Sequence, residues 1–333
     1  MKAFVVGRYG TNEVLSADVP TPRPGHRDVL VKVSAASINP LDSMVGNGEF
    51  KQLLKYKPPF VLGHDMAGVV TEVGADVRGF AVGDHVFARP RDLRIGTFAE
   101  YIAVDEDDVA LKPATLSLQE AAAVPLVALA AWQILVERAH VQPGQKVLVH
   151  AGTGGLGSTV IQLAKYLGAH VATTASGAKE QLVRDLGAEV VIDYRTKDFA
   201  EMLSGYDLVV DSVGGENLLK SLTVLKPGGV AIGVTGPPDA GFAKQLGAPK
   251  PFEFVLSFLS RKVRKAAKKL GVRYEFFFMH ASGAQLRELA ALYDAGALRP
   301  VIDTAFGFDR TLEAIAFAES GKAKAGKVIV TLD

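Results

Sequence analysis

The chain contains no cysteine. That excludes disulfides, thiol nucleophiles and cysteine-ligated zinc together, while leaving the redox compartment open. It also lacks a charge excess: 37 Lys and Arg face 36 Asp and Glu, for a net charge of +1. No global field therefore draws nucleic acid or an anionic membrane, and small-molecule partners are expected. Long apolar runs are missing as well. The longest, 121–136, holds Pro125 and Gln133 and falls short of a bilayer span. The opening Met1-Lys-Ala-Phe-Val-Val-Gly7 meets Arg8 too soon for a signal peptide. These absences lead us to expect a cytoplasmic protein with neither a membrane nor a nucleic-acid partner.

What is present suits two domains: 333 residues, 48% hydrophobic and 22% charged. Residues 1 to about 115 carry short β-type runs broken by Gly, Pro and Asp, at 2–6, 29–34, 67–73, 85–88 and 97–104. From about 121 the texture changes. Strand-like runs at 146–150, 170–174, 189–192, 207–211, 229–235 and 274–279 alternate with helical periodicity, which predicts a parallel sheet covered on both faces. The tail predicts a helix over 282–296, a strand over 301–306, a helix over 309–319 and a strand over 327–332. No internal repeat appears. One helix-like segment breaks the rhythm: Arg261, Lys262, Arg264, Lys265, Lys268, Lys269 and Arg273 lie in a stretch without acids between Glu253 and Glu275. It reads as a solvated face or subunit contact, or as a phosphate- or membrane-surface element that uses the apolar residues just upstream.

The stretch Lys146-Val-Leu-Val-His150 followed by Ala151-Gly-Thr-Gly-Gly-Leu-Gly157 is the strongest functional signal. An apolar strand runs into a glycine turn that opens a helix, and Gly152, Gly154 and Gly157 have the GxGxxG spacing. The first glycine permits a tight turn, the second lets backbone approach a pyrophosphate, and the third lets helix pack on strand. The helix start would hold phosphate. Gly152, Thr153, Gly154, Gly155, Leu156 and Gly157 are therefore the expected cofactor loop.

In NAD sites an acid about 20 residues on binds the ribose 2′-hydroxyl. Here the second strand continues Ala175-Ser176-Gly-Ala-Lys179, and the first carboxylate is Glu180, inside the next helix. A hydroxyl and a cation suit a 2′-phosphate, so NADP(H) is expected, with Ser176 and Lys179 as contacts and Tyr194 beside the same phosphate. Asp193 is the competing ribose acid.

Gly63-His64-Asp65-Met-Ala-Gly68 with Gly74 and Val77 resembles the signature of the medium-chain dehydrogenase/reductase superfamily. Asn39-Pro-Leu-Asp42, Gly83-Asp-His-Val86, Gly96-Thr-Phe-Ala-Glu-Tyr101, Asp211-Ser-Val-Gly-Gly215 and Gly326-Lys-Val-Ile-Val330 follow in the order that superfamily shows. The resemblance implies an α/β chain in which a GroES-like, mostly β catalytic domain (1–122 and 297–333) surrounds a Rossmann doubly wound parallel-sheet domain (123–296), with the site in the cleft between them and a homodimer joined through the last Rossmann strand. It points to the zinc-independent quinone oxidoreductase and enone reductase branch. Zinc enzymes of the superfamily place a cysteine ligand about where Asn39 stands, and His64 alone at a ligand position makes an incomplete site; no metal is expected. The resemblance also implies Asn39, Asp42 and Tyr56 as candidate catalytic residues, with Phe50, Lys57 and Phe60 as pocket walls. It adds Val213 to the cofactor contacts, and one of Lys322, Lys324 and Lys327 to close over the adenosine phosphate, Lys327 being preferred. Two departures stand out. The branch usually has Ala-Ser where Gly152-Thr153 stands, and Ala130 replaces a common threonine.

Without metal, an unactivated alcohol is a poor substrate. A quinone or the β-carbon of an α,β-unsaturated carbonyl needs less help, because the charge left by hydride spreads onto an oxygen that hydrogen bonds can stabilise. Such a reductase of small quinones or enones is the expected activity. The alternatives are an enoyl-thioester reductase on the same scaffold, a non-catalytic NADPH-binding protein, and a residual zinc alcohol dehydrogenase.

Overall fold

The computed structural model describes residues 1–10, 13–245, 247 and 249–332. The chain divides into two compact units, Met1–Leu129 with His280–Asp333, and Ala130–Met279. Asp333 itself lies outside the described residues.

The discontinuous unit begins with β1 (Lys2–Val6), β2 (Val14–Asp18), β3 (Asp28–Ser37), α1 (Pro40–Gly46), β4 (Phe60–Val61), β5 (Asp65–Val73), β6 (His85–Ala88), β7 (Tyr101–Asp105), β8 (Val109–Leu111) and α2 (Leu118–Ala122). Ser117 and Glu120 form a reciprocal cap at the start of α2, each bonding the other's backbone amide, at 3.2 and 2.8 Å. Pro40 fits the first position of α1, where its missing N–H costs nothing.

The continuous unit follows α3 (Pro125–Trp132), whose last residues it includes. It comprises β9 (Lys146–Val149), α4 (Gly155–Tyr166), β10 (His170–Ala175), α5 (Glu180–Asp185), β11 (Val190–Asp193), α6 (Phe199–Met202), β12 (Tyr206–Asp211), α7 (Gly215–Ser221), β13 (Leu225–Gly233), α8 (Ala240–Gln245), α9 (Lys250–Leu259), α10 (Arg261–Leu270) and β14 (Arg273–Phe276). The chain then returns to the first unit with α11 (Gly283–Asp294), β15 (Ile302–Gly307), α12 (Thr311–Glu319) and β16 (Lys327–Thr331).

The sheet of the continuous unit is wholly parallel in the order β11-β10-β9-β12-β13-β14. That is the doubly wound dinucleotide-binding order, with the reversal of direction between β9 and β12. Val147, Leu148, Val149, Val209 and Ile232 are all completely or nearly completely buried, as strands covered on both faces require. The discontinuous unit holds a sheet in the order β15-β16-β3-β5-β6-β8, with β7 also on β3, and a three-stranded sheet β2-β1-β4. All its pairs are antiparallel except β15 with β16. Together these are the GroES-like and Rossmann halves of an α/β chain.

One local expectation shifts. The strand read at 97–104 begins only at Tyr101, because Phe98 leaves that sheet: it donates its N–H to Leu62 (2.9 Å) and accepts from Phe4 (2.8 Å). The compact units divide at 129/130 and 279/280, beside the 122/123 and 296/297 that the resemblance implies, and α11 lies in the discontinuous unit. Its Gly283 packs so closely on β8 that a Cβ there would lie 2.3 Å from the Val109 carbonyl, and Asp294 at its far end accepts from the Thr115 amide at 2.9 Å. Helical periodicity reveals α11 but not which sheet it covers.

Candidate active site

The glycine loop lies between β9 and α4, at the carboxyl end of the sheet where the strand order reverses. Gly152 donates its N–H to Thr174 of β10 at 3.0 Å, and a Cβ on it would meet Thr173 Oγ1 at 2.1 Å. At Gly157 a Cβ would stand 2.3 Å from the Ala151 carbonyl, so only glycine lets α4 close on the loop. Gly154 caps α4, after which the amides of Gly155, Leu156 and Gly157 form a first turn without intrahelical acceptors. Three such donors at a helix's positive end suit a diphosphate. Thr153, half-buried, lies in the same turn.

The base of the loop is held by His150. Its ring reaches Thr174 Oγ1 through Nδ1 (3.1 Å) and Ser221 Oγ through Nε2 (2.8 Å), and packs edge-on against Phe199. Burial lowers its pKa to about 4, against a smaller opposing pull from Asp211. Asp211 staples the next loop by accepting from the amides of Val213 and Gly214, both at 2.7 Å, and Val213 stands exposed beside the strand ends.

Past β10, Ser176 and Lys179 are half-buried, and no side-chain partner for either is found among the described residues. Glu180, the first acid, is occupied by Arg184 at 2.7 Å. Tyr194 is exposed after β11, and the Arg195 guanidinium lies 5.9 Å from its ring centre. Arg195 is a cation that sequence reasoning passed over, although its place directly after Tyr194 was a usable signal. Asp193, the competing acid, is paired with Ala175 across the sheet, and its Oδ2 would lie 2.7 Å from a Cβ on Gly177. Its Oδ1 accepts from the Arg195 amide at 3.0 Å.

In the discontinuous unit a different cluster forms at the end of β3. Asp42 accepts from the Asn39 amide through Oδ2 (2.7 Å) and meets His64 Nδ1 through Oδ1 (2.5 Å). Asn39 donates from Nδ2 to Asp65 Oδ2 (2.9 Å) and to the Ser37 carbonyl (3.3 Å). Its Oδ1 accepts from Lys327, whose ammonium also lies 3.3 Å from Asp65 Oδ2. Ser37 Oγ donates to the same carboxylate at 2.8 Å, and the Leu126 amide donates to Asp65 Oδ1 at 2.8 Å. All six polar side chains are buried. Asn39 and Asp42 come together as members of a hydrogen-bonded network that sets their positions. Lys327, expected over the adenosine phosphate, has its ammonium engaged in this network. Ser37 was not singled out from sequence, and Asp65 stood only within the signature, without a role.

Tyr56 lies elsewhere in the unit. Its hydroxyl accepts from the Leu93 amide at 3.0 Å, its ring stacks on Phe60 at 5.0 Å, and burial raises the phenol well above its ordinary range. It therefore stays protonated, with a hydrogen to donate.

The donor set does not fit zinc. The chain has no cysteine, His64 keeps only Nε2 unpartnered, both oxygens of Asp42 and of Asp65 are already engaged, and an ammonium already supplies positive charge to the cluster. Among the described residues no group of three or more His, Cys, Asp or Glu is arranged to hold a metal.

Comparison with known proteins places the chain. Residues 25–114 match the alcohol dehydrogenase GroES-like domain family, and 186–330 the zinc-binding dehydrogenase family. The chain is 35% identical to the Danio rerio mitochondrial NAD(P)H oxidoreductase RTN4IP1, over all of its own length and 91% of that protein. It is 34% identical to the Arabidopsis thaliana chloroplastic NADPH-dependent alkenal/one oxidoreductase, covering 99% of this chain and 79% of the relative. The solved quinone oxidoreductase from Coxiella burnetii superposes with a TM-score of 0.86 at 31% identity, covering 100% and 99% of the two chains. The chain is therefore a nicotinamide-dependent oxidoreductase of the medium-chain dehydrogenase/reductase superfamily, and it belongs to the zinc-independent quinone and enone oxidoreductase branch.

Proposed function

We propose that the chain is an NADPH-dependent, metal-free reductase that passes hydride to a quinone or to the β-carbon of an α,β-unsaturated carbonyl. The observation that carries this reading is the buried cluster around Asn39 and His64. Lys327 already supplies positive charge beside Asp65, and among the described residues no ligand set stands ready for a Lewis acid that would polarise an alcohol. A conjugated acceptor dispenses with that help. The bound nicotinamide supplies the hydride. The protein holds the diphosphate on the first turn of α4 and the 2′-phosphate with Ser176, Lys179 and Tyr194, and Val213 borders the same groove. In this reading Asn39 and Asp42, held by their network, would border the substrate, and the protonated Tyr56 hydroxyl would offer a hydrogen bond to the oxygen that gains charge. Water or a weak acid completes the protonation.

Two of the three relatives support this acceptor class, since one acts by name on alkenals and enones and another on quinones. The reaction calls for no nucleic-acid or membrane partner. A homodimer built on the free edge of β14 and a cytoplasmic location complete the proposal; the names of the two enzyme relatives place them in mitochondria and chloroplasts, so fractionation of the native host decides the location and sedimentation the dimer. The kinetic test is a panel of small enones, alkenals, quinones and a crotonyl thioester with NADPH. We expect turnover on an enone or quinone that is indifferent to zinc and chelator. Activity restricted to the thioester, activity that rises with zinc, or tight NADPH binding without any oxidation would each overturn the reading.

A further inference from the structure

Helix α9 is built inside out for a surface helix. It buries Leu256, as does the adjoining Ser260, while Phe254 (76%), Phe258 (66%), Leu259 (54%) and Val255 (52%) are exposed. Residues four apart share a face, so Phe254 with Phe258 and Val255 with Leu259 form one continuous outward apolar strip. Single exposed apolar residues need no explanation, but four large ones together mark a contact surface.

The next helix supplies the complementary half. Ser260 donates its N–H to Leu256 and accepts from the Arg264 amide, both at 3.0 Å, so α10 follows α9 across a single residue. Val263 and Ala267 anchor α10 in the unit. Arg261, Lys262, Arg264, Lys265, Lys268 and Lys269 all face solvent, and among the described residues none has a carboxylate partner. The segment contains no acid from 254 to 274, so two copies of this face would meet as like charges. That argues against a second copy as its occupant. Exposed aromatic residues beside unpaired cations match an anionic lipid surface, where the rings enter the headgroup layer and the long cationic side chains reach phosphates.

We propose that α9 and α10 form a peripheral docking surface for anionic membranes. Phe254 and Phe258 insert at the interface, and the α10 cations hold the headgroups.

The test is co-sedimentation of the full chain with phosphatidylcholine vesicles, with and without phosphatidylserine. We expect at least tenfold more protein to pellet with the anionic vesicles, and raised salt to release it. Phe254→Ser/Phe258→Ser and Lys262→Glu/Lys265→Glu/Lys269→Glu should each cut pelleting at least tenfold while thermal melting and NADPH fluorescence titration stay unchanged, which shows the fold and cofactor site intact. Equal pelleting on neutral vesicles, or none on either, would overturn the proposal. So would loss with the charge variant but not the phenylalanine variant, which would indicate an acidic polymer as partner. If Phe254→Ser/Phe258→Ser splits an oligomer and leaves pelleting intact, the apolar strip is a subunit contact and the proposal fails.

Discussion

Lys327 and Asp65, 262 positions apart in sequence, meet at 3.3 Å inside the discontinuous unit, with the ammonium also donating to Asn39. β16 and β5 lie on either side of β3, so the two residues arrive from opposite flanks at the end of one strand. The pair ties the last strand of the chain to the signature that follows Gly63.

Removing one partner of a buried pair leaves the other charged and unsatisfied, which costs about 3–5 kcal/mol. Lys327→Met should therefore destabilise the protein by about 3 kcal/mol in urea titration. Adding Asp65→Asn should return part of that loss, because the stranded carboxylate is gone. A single variant as stable as the parent would show that Lys327 does not balance Asp65.

Cofactor choice rests on Ser176 and Lys179. A charge-assisted hydrogen bond contributes roughly 1.5–3 kcal/mol, or about ten- to a hundredfold in affinity. In Ser176→Asp/Lys179→Ala the new carboxylate repels a 2′-phosphate and can accept from a ribose hydroxyl. The preference for NADPH over NADH should fall by at least that factor in KM ratio. An unchanged ratio would move the phosphate contact to Tyr194 and Arg195.

His150 makes stability depend on pH in a definite direction. Its pKa is lowered from 6.5 to about 4, so between these values the unfolded chain binds a proton that the native one excludes. The contribution is complete above pH 6.5 and is lost progressively as pH falls toward 4, with about 3 kcal/mol at stake from this group. Urea midpoints measured at pH 7 and about pH 5 should show the fall, and His150→Asn should flatten it. Equal slopes in the two proteins would assign acid sensitivity to other groups.

The Rossmann unit was legible because its strands are buried on both faces and read as apolar runs, and because the glycine spacing carries its own geometry. Asn39 and Asp42 were legible as a pair only through the resemblance, which carries an Asn-x-x-Asp pattern onto them. Their network was not, since Ser37, Asp65 and Lys327 join it only when β3, β5 and β16 align. Lys327 shows the difference: beside Gly326 near the end of the chain it looks like a free surface cation, and only the register of β16 against β3 buries it. β2 escaped notice for the opposite reason, being an edge strand whose exposed pattern carries little apolar signal.

The glycine loop separates two effects that one motif conceals. At Gly157 a Cβ would press on the Ala151 carbonyl at 2.3 Å and on Gly152 Cα at 2.9 Å, both backbone atoms that cannot swing aside. Gly157→Ala should shift α4 off the loop, lowering the melting temperature and weakening NADPH binding together. At Gly154 the nearest atom to a Cβ is the same carbonyl, but at 3.3 Å, and φ is −70°, which any residue adopts. Gly154→Ala should therefore melt within a degree or two of the parent, about 0.5 kcal/mol at most, yet its new methyl group occupies space at the helix start where a diphosphate must approach. We expect NADPH affinity to fall at least tenfold in Gly154→Ala, by fluorescence titration. If that variant binds as the parent does, the diphosphate does not lie against Gly154, and the first turn of α4 is only a turn.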